Sequence, residues 1–295
     1  MLLLVAACTK GDSGHEVDTS KPLHVPPVLD AGPGSAAQKL AVQTYDDLKS
    51  AIAAIVPADA RVIGFGELHA RTDRAQVKSA LARFTADELP AIGDRLSDLI
   101  IETWLVDKNC GKQATEATAK VEITTRRPQE TKSEIGELAE AARKAGIQPH
   151  AMRLTCDDYK RIAPPATGSG AGDVDPVAML QITTKELGRI ATEAVVHRDK
   201  EANHRPWIAL YGGALHNDRF PEPSVADWSY AKQADTVTHD HFVEIDLVVP
   251  ELAEADPMLE KQPWYAIVKT AGADKLQVWK RGERSFVIVF PRTPK

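Results

Sequence analysis

The chain has 295 residues, of which 43% are hydrophobic and 26% charged, an ordinary balance for a globular protein. This length fits one large domain or two small ones. The formal net charge of -6 provides no basic footprint and argues against a nucleic-acid partner, and no apolar run reaches the roughly 18 residues that a membrane span requires.

The first eight residues, MLLLVAAC, form an apolar run with small residues before Cys8. This pattern resembles the lipobox of bacterial lipoproteins. The resemblance implies that Cys8 is lipidated, becomes the mature N-terminus and anchors the protein to a membrane on the periplasmic or cell-surface side. A signal segment normally has a charged start and a longer apolar core, so we expect the natural start to lie upstream. The alternative is a plain hydrophobic N-terminus.

Residues 9–38 are rich in Gly, Ser, Pro and Asp and predict a disordered tether, followed by a single folded domain over 39–295. His15 and His24 lie in this tether and are interpreted as solvated. Beyond Cys8 the chain has two cysteines, Cys110 and Cys156. In an oxidising compartment they can pair, but sequence alone does not give their geometry, so the pairing stays open.

Helix and strand signals alternate through the first half of the domain. Helices are predicted after three threonine caps: Thr44, Thr72 and Thr131. The third has a possible capping box with Glu134 and ends at Gly146. Short apolar runs predict strands over 61–65, 99–102 and 147–154, with Pro149 at the start of the third strand or on a sheet edge.

The second half begins with a helix and continues mainly as strands. Asp175 and Pro176 occupy cap and first-turn positions of a long helix. Strands are predicted from four runs: WIALYGG, HFVEIDLVV, YAIVK and LQVWKRGERSFVIVF, the last as a hairpin that turns near Gly282. The predicted fold class is therefore α/β, a layered mixed sheet with helices packed on its faces and C-terminal strands with a hairpin.

Two similar strings, GELH at 66–69 and GALH at 213–216, each follow an apolar strand directly. Pockets in open α/β sheets lie beyond the carboxyl ends of strands, so these turns are predicted to deliver His69 and His216 to one site. Glycine in both turns permits a sharp bend or a close approach. Glu67 points the same way as His69, because residues two apart on an extended segment share a side.

Two other strand ends supply charged side chains. Glu102 ends the run LIIE, and a buried carboxylate is costly unless something pairs with it. Arg153, in HAMRL, brings the opposite charge. The candidate site therefore suits general acid/base work or, without the arginine, zinc or manganese binding: it comprises Glu67, His69, Glu102, Arg153 and His216. Alternatively, each residue points into water from its own strand end.

Other candidates are weaker. His239 and His241 in THDHF fit a solvated strand edge better than a metal pair, and His197 and His204 lie at the polar end of the long helix. Nucleophilic catalysis by serine or cysteine is poorly supported, since the sequence has no G-x-S-x-G and Cys110 lies in a polar stretch. The H-E-x-x-H, C-x-x-C and phosphate-loop motifs are absent from the sequence.

The GELH turn, the Glu102 strand end and the GALH turn resemble the superfamily that joins Tiki proteins, erythromycin-esterase-like hydrolases and ChaN-like haem-uptake lipoproteins. The resemblance covers most of residues 58–220. Tiki proteins are metal-dependent proteases, whereas the esterase-like members use His and Glu to activate water. ChaN-like members are lipoproteins that bind haem, which fits Cys8. They usually carry a further histidine after the first motif, where this chain has ARTDRAQV.

The resulting prediction is a lipid-anchored extracytoplasmic protein that hydrolyses an ester or peptide bond. His69 or His216 activates water directly or through a metal, while Glu67 and Glu102 hold the imidazoles or share the proton transfer. Arg153 stabilises developing negative charge. The alternative is a protein that binds haem, or another small-molecule or peptide ligand, without turnover. A third possibility is a degenerate, purely structural member.

Overall fold

The computed structural model describes residues 40–74, 76–165, 174–202 and 204–294, so Cys8 and the tether lie outside the described residues. Eight strands form one sheet: β1 Val42–Tyr45, β2 Val62–Glu67, β3 Leu96–Trp104, β4 Gln148–Met152, β5 Trp207–Gly213, β6 Phe242–Val248, β7 Leu276–Gly282 and β8 Ser285–Val289. Their order across the sheet is β1-β7-β8-β6-β2-β5-β3-β4. Only β7 runs against the others, since it pairs antiparallel with both neighbours while the remaining pairs are parallel.

The helices connect the strands and cover both faces of the sheet. They are α1 Leu48–Ile55, α2 Ala80–Arg83, α3 Leu89–Ile92, α4 Lys112–Thr125, α5 Glu130–Lys144, α6 Cys156–Ile162, α7 Pro176–Arg198, α8 Ala231–Thr238, α9 Pro250–Glu254 and α10 Tyr265–Thr270. A π-helical turn, Phe84–Glu88, joins α2 to α3. Among the described helices, none is long and apolar enough to cross a bilayer. The predicted α/β class, with a mixed sheet between helices, is confirmed.

Alternation along the parallel strands divides the core into two layers. On β2, Ile63 and Phe65 pack into a large apolar cluster with α1, α5, α9 and α10, whereas Val62 packs with α7 and α8 on the opposite face. This is the pattern expected when successive side chains of a central strand point to opposite sides and both sides are covered. A third, smaller cluster lies between α4, α6 and α7.

The helices exist where apolar periodicity predicts them, and Asp175 caps α7 as predicted, but the three predicted threonine caps are wrong. Thr44 lies in β1, which is paired with β7, and Asp47 caps α1 instead. The second helix begins after Ser79, whose hydroxyl accepts the Ala82 N–H at 2.9 Å, and not after Thr72. Each side-chain cap is therefore nearer to the first buried turn than the sequence suggests. The predicted Thr131 box is also absent from α5, which starts at Glu130 without a side-chain cap.

All but one of the predicted strands are present. WIALYGG is β5, and the C-terminal hairpin is β7–β8. The run YAIVK is helix α10, not a strand, and it buries Tyr265, Ile267 and Val268. Four apolar residues followed by a lysine fit either structure, and here the packing against the large cluster favours the helix.

A disulfide joins Cys110, at the end of a 3₁₀ turn, to Cys156, the first residue of α6, with Cα atoms 5.2 Å apart. The pairing that the sequence leaves open is therefore present. The bond borders the cluster between α4, α6 and α7, to which Leu154, Tyr159 and Ile162 contribute buried side chains. It fastens this small lobe, which has much less apolar core than the main layers.

Replacing both cysteines with serine is expected to lower the free energy of unfolding by about 3–4 kcal/mol, because the cross-link spans 46 residues and restricts the unfolded chain. Urea denaturation of the oxidised protein and the double variant measures this difference. Wild-type protein treated with a reductant serves as the control and should match the variant. Equal stability of the oxidised and reduced forms would contradict the expectation.

Candidate functional site

The GELH turn places Glu67 and His69 in direct contact at the end of β2. His69 Nδ1 lies 2.7 Å from Glu67 Oε1, and the other oxygen of Glu67 accepts the Tyr211 hydroxyl at 2.5 Å. Phe84 packs between the rings of Phe65 and Tyr211, which fixes the hydroxyl that faces Glu67. Both carboxylate oxygens are thus used, and the proton on Nδ1 is held toward Glu67. The Nε2 atom of His69 faces the other site residues.

Glu102, near the carboxyl end of β3, places its side chain beside His69. Its Oε1 lies 3.5 Å from His69 Nε2, and its Oε2 accepts the Gly213 N–H at 2.5 Å. Two glycines of β5 make room for these contacts. A Cβ added to Gly212 would lie 2.6 Å from Glu102 Oε2, and one added to Gly213 would lie 2.9 Å from His69 Nε2. The Gly212–Gly213 pair is therefore required by the close approach of two site side chains.

His216 completes the group from the turn after β5. Its Nδ1 lies 2.7 Å from Thr184 Oγ1 and 3.1 Å from the Trp228 carbonyl oxygen. Thr184 Oγ1 already donates to that carbonyl, so its lone pair accepts the Nδ1 proton of His216. The assigned tautomer leaves Nε2 as an acceptor, 3.8 Å from Glu102 Oε1. His216 is nearly buried, with 5% of its side chain exposed.

Arg127, in the link between α4 and α5, is the cation of the site. Its Nη2 lies 2.6 Å from His69 Nε2 and 3.4 Å from Glu102 Oε1. A guanidinium only donates hydrogen bonds, so Nε2 of His69 is the acceptor in this contact and the ring is neutral. Arg127 and His69 keep 22% and 25% of their side chains exposed, and solvent therefore reaches the group from this side.

The structure brings together four of the five predicted site residues: Glu67, His69, Glu102 and His216. The assignment of Arg153 is wrong. Its side chain is exposed, and its described hydrogen bond is the backbone N–H donated to Glu186 at 3.3 Å. Arg153 follows β4, which is the edge of the sheet, so its position does not lead to the centre of the parallel strands. Arg127 supplies the positive charge instead.

The pKa values of His69 and His216 are shifted in opposite directions. Burial and Arg127 lower the pKa of His69, but Glu102 and Glu67 together outweigh them and raise that pKa above its ordinary value. Burial lowers the pKa of His216, with Glu102 opposing the effect and His69 adding to it. Burial alone would raise the pKa of Glu102, yet the two histidines and Arg127 hold it well below its usual range. Pairs of groups separated in this way are typical of acid/base sites.

The four predicted ligands do not fit a zinc or manganese ion in this arrangement. The guanidinium of Arg127 occupies the position between His69 Nε2 and Glu102 Oε1. Both oxygens of Glu67 are engaged by His69 Nδ1 and Tyr211. Within the described ranges, no group of three or more His, Cys, Asp or Glu is arranged to hold a metal ion.

The remaining described histidines lie elsewhere, as their sequence context suggests. His239 is exposed in a left-handed turn, and His241 faces Asp59 at 3.6 Å. His197 is exposed in the last turn of α7. His150 pairs with Asp98 at 2.7 Å between β4 and β3. This last pair is a histidine–carboxylate contact outside the site and offers a matched control for it.

Comparison with known proteins identifies no family for this chain. No family model matches the chain, and no curated protein matches it. A solved structure, that of the type III effector HopBA1, is similar over 79% of this chain and 88% of that chain, with a TM-score of 0.36 and 12% sequence identity. A likeness this weak supports no conclusion about fold or function.

Proposed function

We propose that this protein hydrolyses ester or peptide bonds with a His/Glu site and without a metal between His69 and Glu102. The observation that carries the proposal is the contact of one carboxylate with two imidazoles and a guanidinium: Glu102 Oε1 lies 3.5, 3.8 and 3.4 Å from His69, His216 and Arg127. The resemblance of the GELH and GALH turns to the esterase-like proteins of the Tiki superfamily supports the same chemistry.

In this proposal His69 is the general base. Glu67 orients the ring through Nδ1 and stabilises the imidazolium that forms, while Tyr211 holds Glu67. The raised pKa of His69 gives its Nε2 more affinity for a proton than an ordinary imidazole has. Its partial exposure lets water and substrate approach, which the buried His216 does not offer.

Arg127 has two successive roles. In the free protein it donates a hydrogen bond to His69 Nε2. When a substrate carbonyl enters, the guanidinium turns to its oxygen, which frees Nε2 to accept a proton. In this second position the guanidinium stabilises the developing oxyanion of the transition state in a partly water-excluded site. Glu102 Oε1 and His216 Nε2 provide acceptors that orient the attacking water.

The proposed reaction balances as a hydrolysis. Water gives one proton to His69 Nε2, and its oxygen forms a bond to the carbonyl carbon. The tetrahedral intermediate then collapses, the bond to the alcohol or amine breaks, and His69 returns the proton to the leaving group. The products are a carboxylic acid and an alcohol or amine.

We also propose that the protein works outside the cytoplasm, anchored through Cys8. The Cys110–Cys156 bond supports this location, because disulfides persist mainly in oxidising compartments. The lipobox resemblance at MLLLVAAC supports the anchor. Expression in a bacterial host followed by membrane fractionation tests the anchor: Cys8→Ala should release the protein or leave its signal segment unprocessed. An unmodified cytosolic protein would contradict the proposal.

The hydrolytic proposal is tested with purified protein in EDTA, using nitrophenyl esters of increasing acyl length and internally quenched peptides. His69→Ala is expected to lower kcat/KM by about 10²- to 10⁴-fold, the usual contribution of a general base. In the wild type, kcat/KM should rise with pH through a pKa above the ordinary histidine value, since His69 must be deprotonated to act.

His150→Ala is the matched control, because it also removes a histidine bound to a carboxylate, and its kcat/KM should equal that of the wild type. Three outcomes contradict the proposal: no member of the panel is hydrolysed, His69→Ala turns over at the wild-type rate, or activity requires added zinc or manganese.

A further inference from the structure

A cavity of about 280 Å³ opens at the carboxyl ends of β2 and β6, beside the His/Glu site but separate from it. Gly66 and Leu68 line the cavity, whereas the alternate residues Glu67 and His69 belong to the site. None of His69, Glu102, Arg127 and His216 lines it. Ligands of open α/β sheets bind in crevices at these strand ends. The hydrolytic mechanism makes no use of this one.

Aromatic rings form much of the cavity wall. Trp264 and Trp279 line it, together with Phe220. Trp279 is carried by β7 and Trp264 directly precedes α10, so both indoles are held by regular structure. Proline side chains extend this apolar surface: Pro221, Pro223 and Pro263. Such a wall favours an apolar ligand or, through the faces of the rings, an organic cation.

The charged side chains that line the cavity favour an organic cation over an apolar ligand. Three carboxylates line it, Asp218, Glu222 and Asp246, against one guanidinium, that of Arg281. Arg281 is already engaged, because it donates to Asp218 at 2.7 Å and to the fully buried Glu244 at 3.0 Å. Carboxyl groups therefore outnumber cationic groups along the cavity wall.

No described ion pair includes Asp246, although the charge of Arg281 still acts on it. Its Oδ1 receives a hydrogen bond from Asn217 Nδ2 at 3.4 Å, and no described residue donates to its other oxygen. Burial raises the pKa of Asp246 well above its usual value, the charge of Glu244 raises it further and the charge of Arg281 opposes them, so a cation that enters the cavity favours the ionised form. A Cβ at Gly66 would lie 2.5 Å from Oδ1, so the glycine of GELH makes space for this carboxylate.

We propose that this cavity binds a small organic cation through an alkyl-ammonium group, with Asp246 as the counter-ion and Trp264 and Trp279 as the aromatic wall. A desolvated ammonium over the face of a tryptophan is the strongest form of the cation–π contact. The volume lies just below the usual range for ligand pockets, about 300–1,000 Å³, so the ligand is small. This inference is independent of the proposed hydrolysis.

The test compares choline with its neutral isostere 3,3-dimethyl-1-butanol, which keeps the shape and removes the charge. Because two tryptophans line the cavity, binding of choline is expected to change the intrinsic fluorescence of the full-length protein saturably. Calorimetry gives the dissociation constants. We expect the neutral isostere to bind at least about tenfold more weakly, since it lacks the charge that meets Asp246.

Asp246→Asn keeps the size of the side chain and removes its charge. It is expected to weaken choline binding about tenfold and to abolish the preference for choline over the isostere. Trp279→Leu, which leaves Asp246 unchanged, should also weaken choline binding, and Trp104→Phe, remote from the cavity, should not. Thermal melts verify that each variant is folded. Equal affinities of choline and the isostere, or choline binding unchanged in both Asp246→Asn and Trp279→Leu, would overturn the proposal.

Discussion

Replacing Glu102 with glutamine is expected to lower the pKa of both His69 and His216 and to destabilise the folded protein. The carboxylate raises the pKa of each imidazole and pairs with the partly buried Arg127. Its removal leaves a guanidinium in the site without its nearest carboxylate, and breaking a buried charged pair in this way costs about 3 kcal/mol. Two-dimensional NMR titration of the histidine rings and urea denaturation at pH 7 measure the two effects.

The stability difference should depend on pH with a definite sign. Folding lowers the pKa of Glu102 below its ordinary value of 4.5, so its contribution is present above that value and is lost as the pH falls toward the folded pKa. Wild type and Glu102→Gln should therefore converge in acid. Asp98→Asn, which removes the carboxylate that pairs with His150, is the control and should leave the pKa values of His69 and His216 unchanged. If the pKa values of both site histidines are the same in Glu102→Gln as in the wild type, Glu102 is not a carboxylate that the two imidazoles share.

Glu88→Gln is expected to stabilise the protein in mild alkali. Glu88 lies in the π-helical turn and is fully buried, and neither of its carboxylate oxygens has a hydrogen-bond partner among the described residues. Burial raises its pKa to about 8, with the charge of Asp87 adding to the effect. The side chain is therefore neutral near pH 7, and its ionisation above pH 8 places an unpaired charge in the core.

Because the folded pKa is raised, the native protein holds a proton that the unfolded chain has lost between pH 4.5 and about 8. The free energy of unfolding is then greatest below this interval. It falls by about 1.4 kcal/mol per pH unit through the interval, which gives a total loss of about 3–5 kcal/mol. Urea denaturation from pH 5 to 9 should show this slope in the wild type but not in Glu88→Gln or Glu88→Leu. Glu140→Gln, at an exposed helix position, should retain it. A wild-type slope that persists in both Glu88 variants would contradict the assignment.

The sequence predicts the central strands well because their signal is local. WIALYGG is an apolar run that ends in two glycines, and β5 has these bounds. In contrast, β1 is a short edge strand, VQTY, with three of its four residues exposed. It is held through backbone pairing with β7, more than two hundred residues later, and no apolar pattern marks it. Elements defined by a distant partner are the ones that single-sequence reasoning misses.

The same distinction between local signals and distant partners explains which site residues the sequence predicts. Glu67, His69, Glu102 and His216 were predicted because each lies near or just beyond the carboxyl end of an apolar run. These runs are central parallel strands, whose order brings the four residues together. Arg127 has no such signal, since it lies in the short link TTRRPQE between two helices. Its position depends on where α4 and α5 pack. Arg153 had the strand-end signal but belongs to the edge strand β4, which is where that argument fails.

The disulfide also tethers the start of the helix whose other end leads to the site. Cys110 lies two residues before the start of α4, and α4 packs in the same small lobe as α6, whose first residue is Cys156. Arg127 lies two residues beyond the other end of α4, in the link to α5. In the bridged protein, arrangements that separate the start of α4 from α6 are excluded. We therefore expect reduction of the bond to loosen the attachment of the helix that precedes Arg127, although neither cysteine contacts the site.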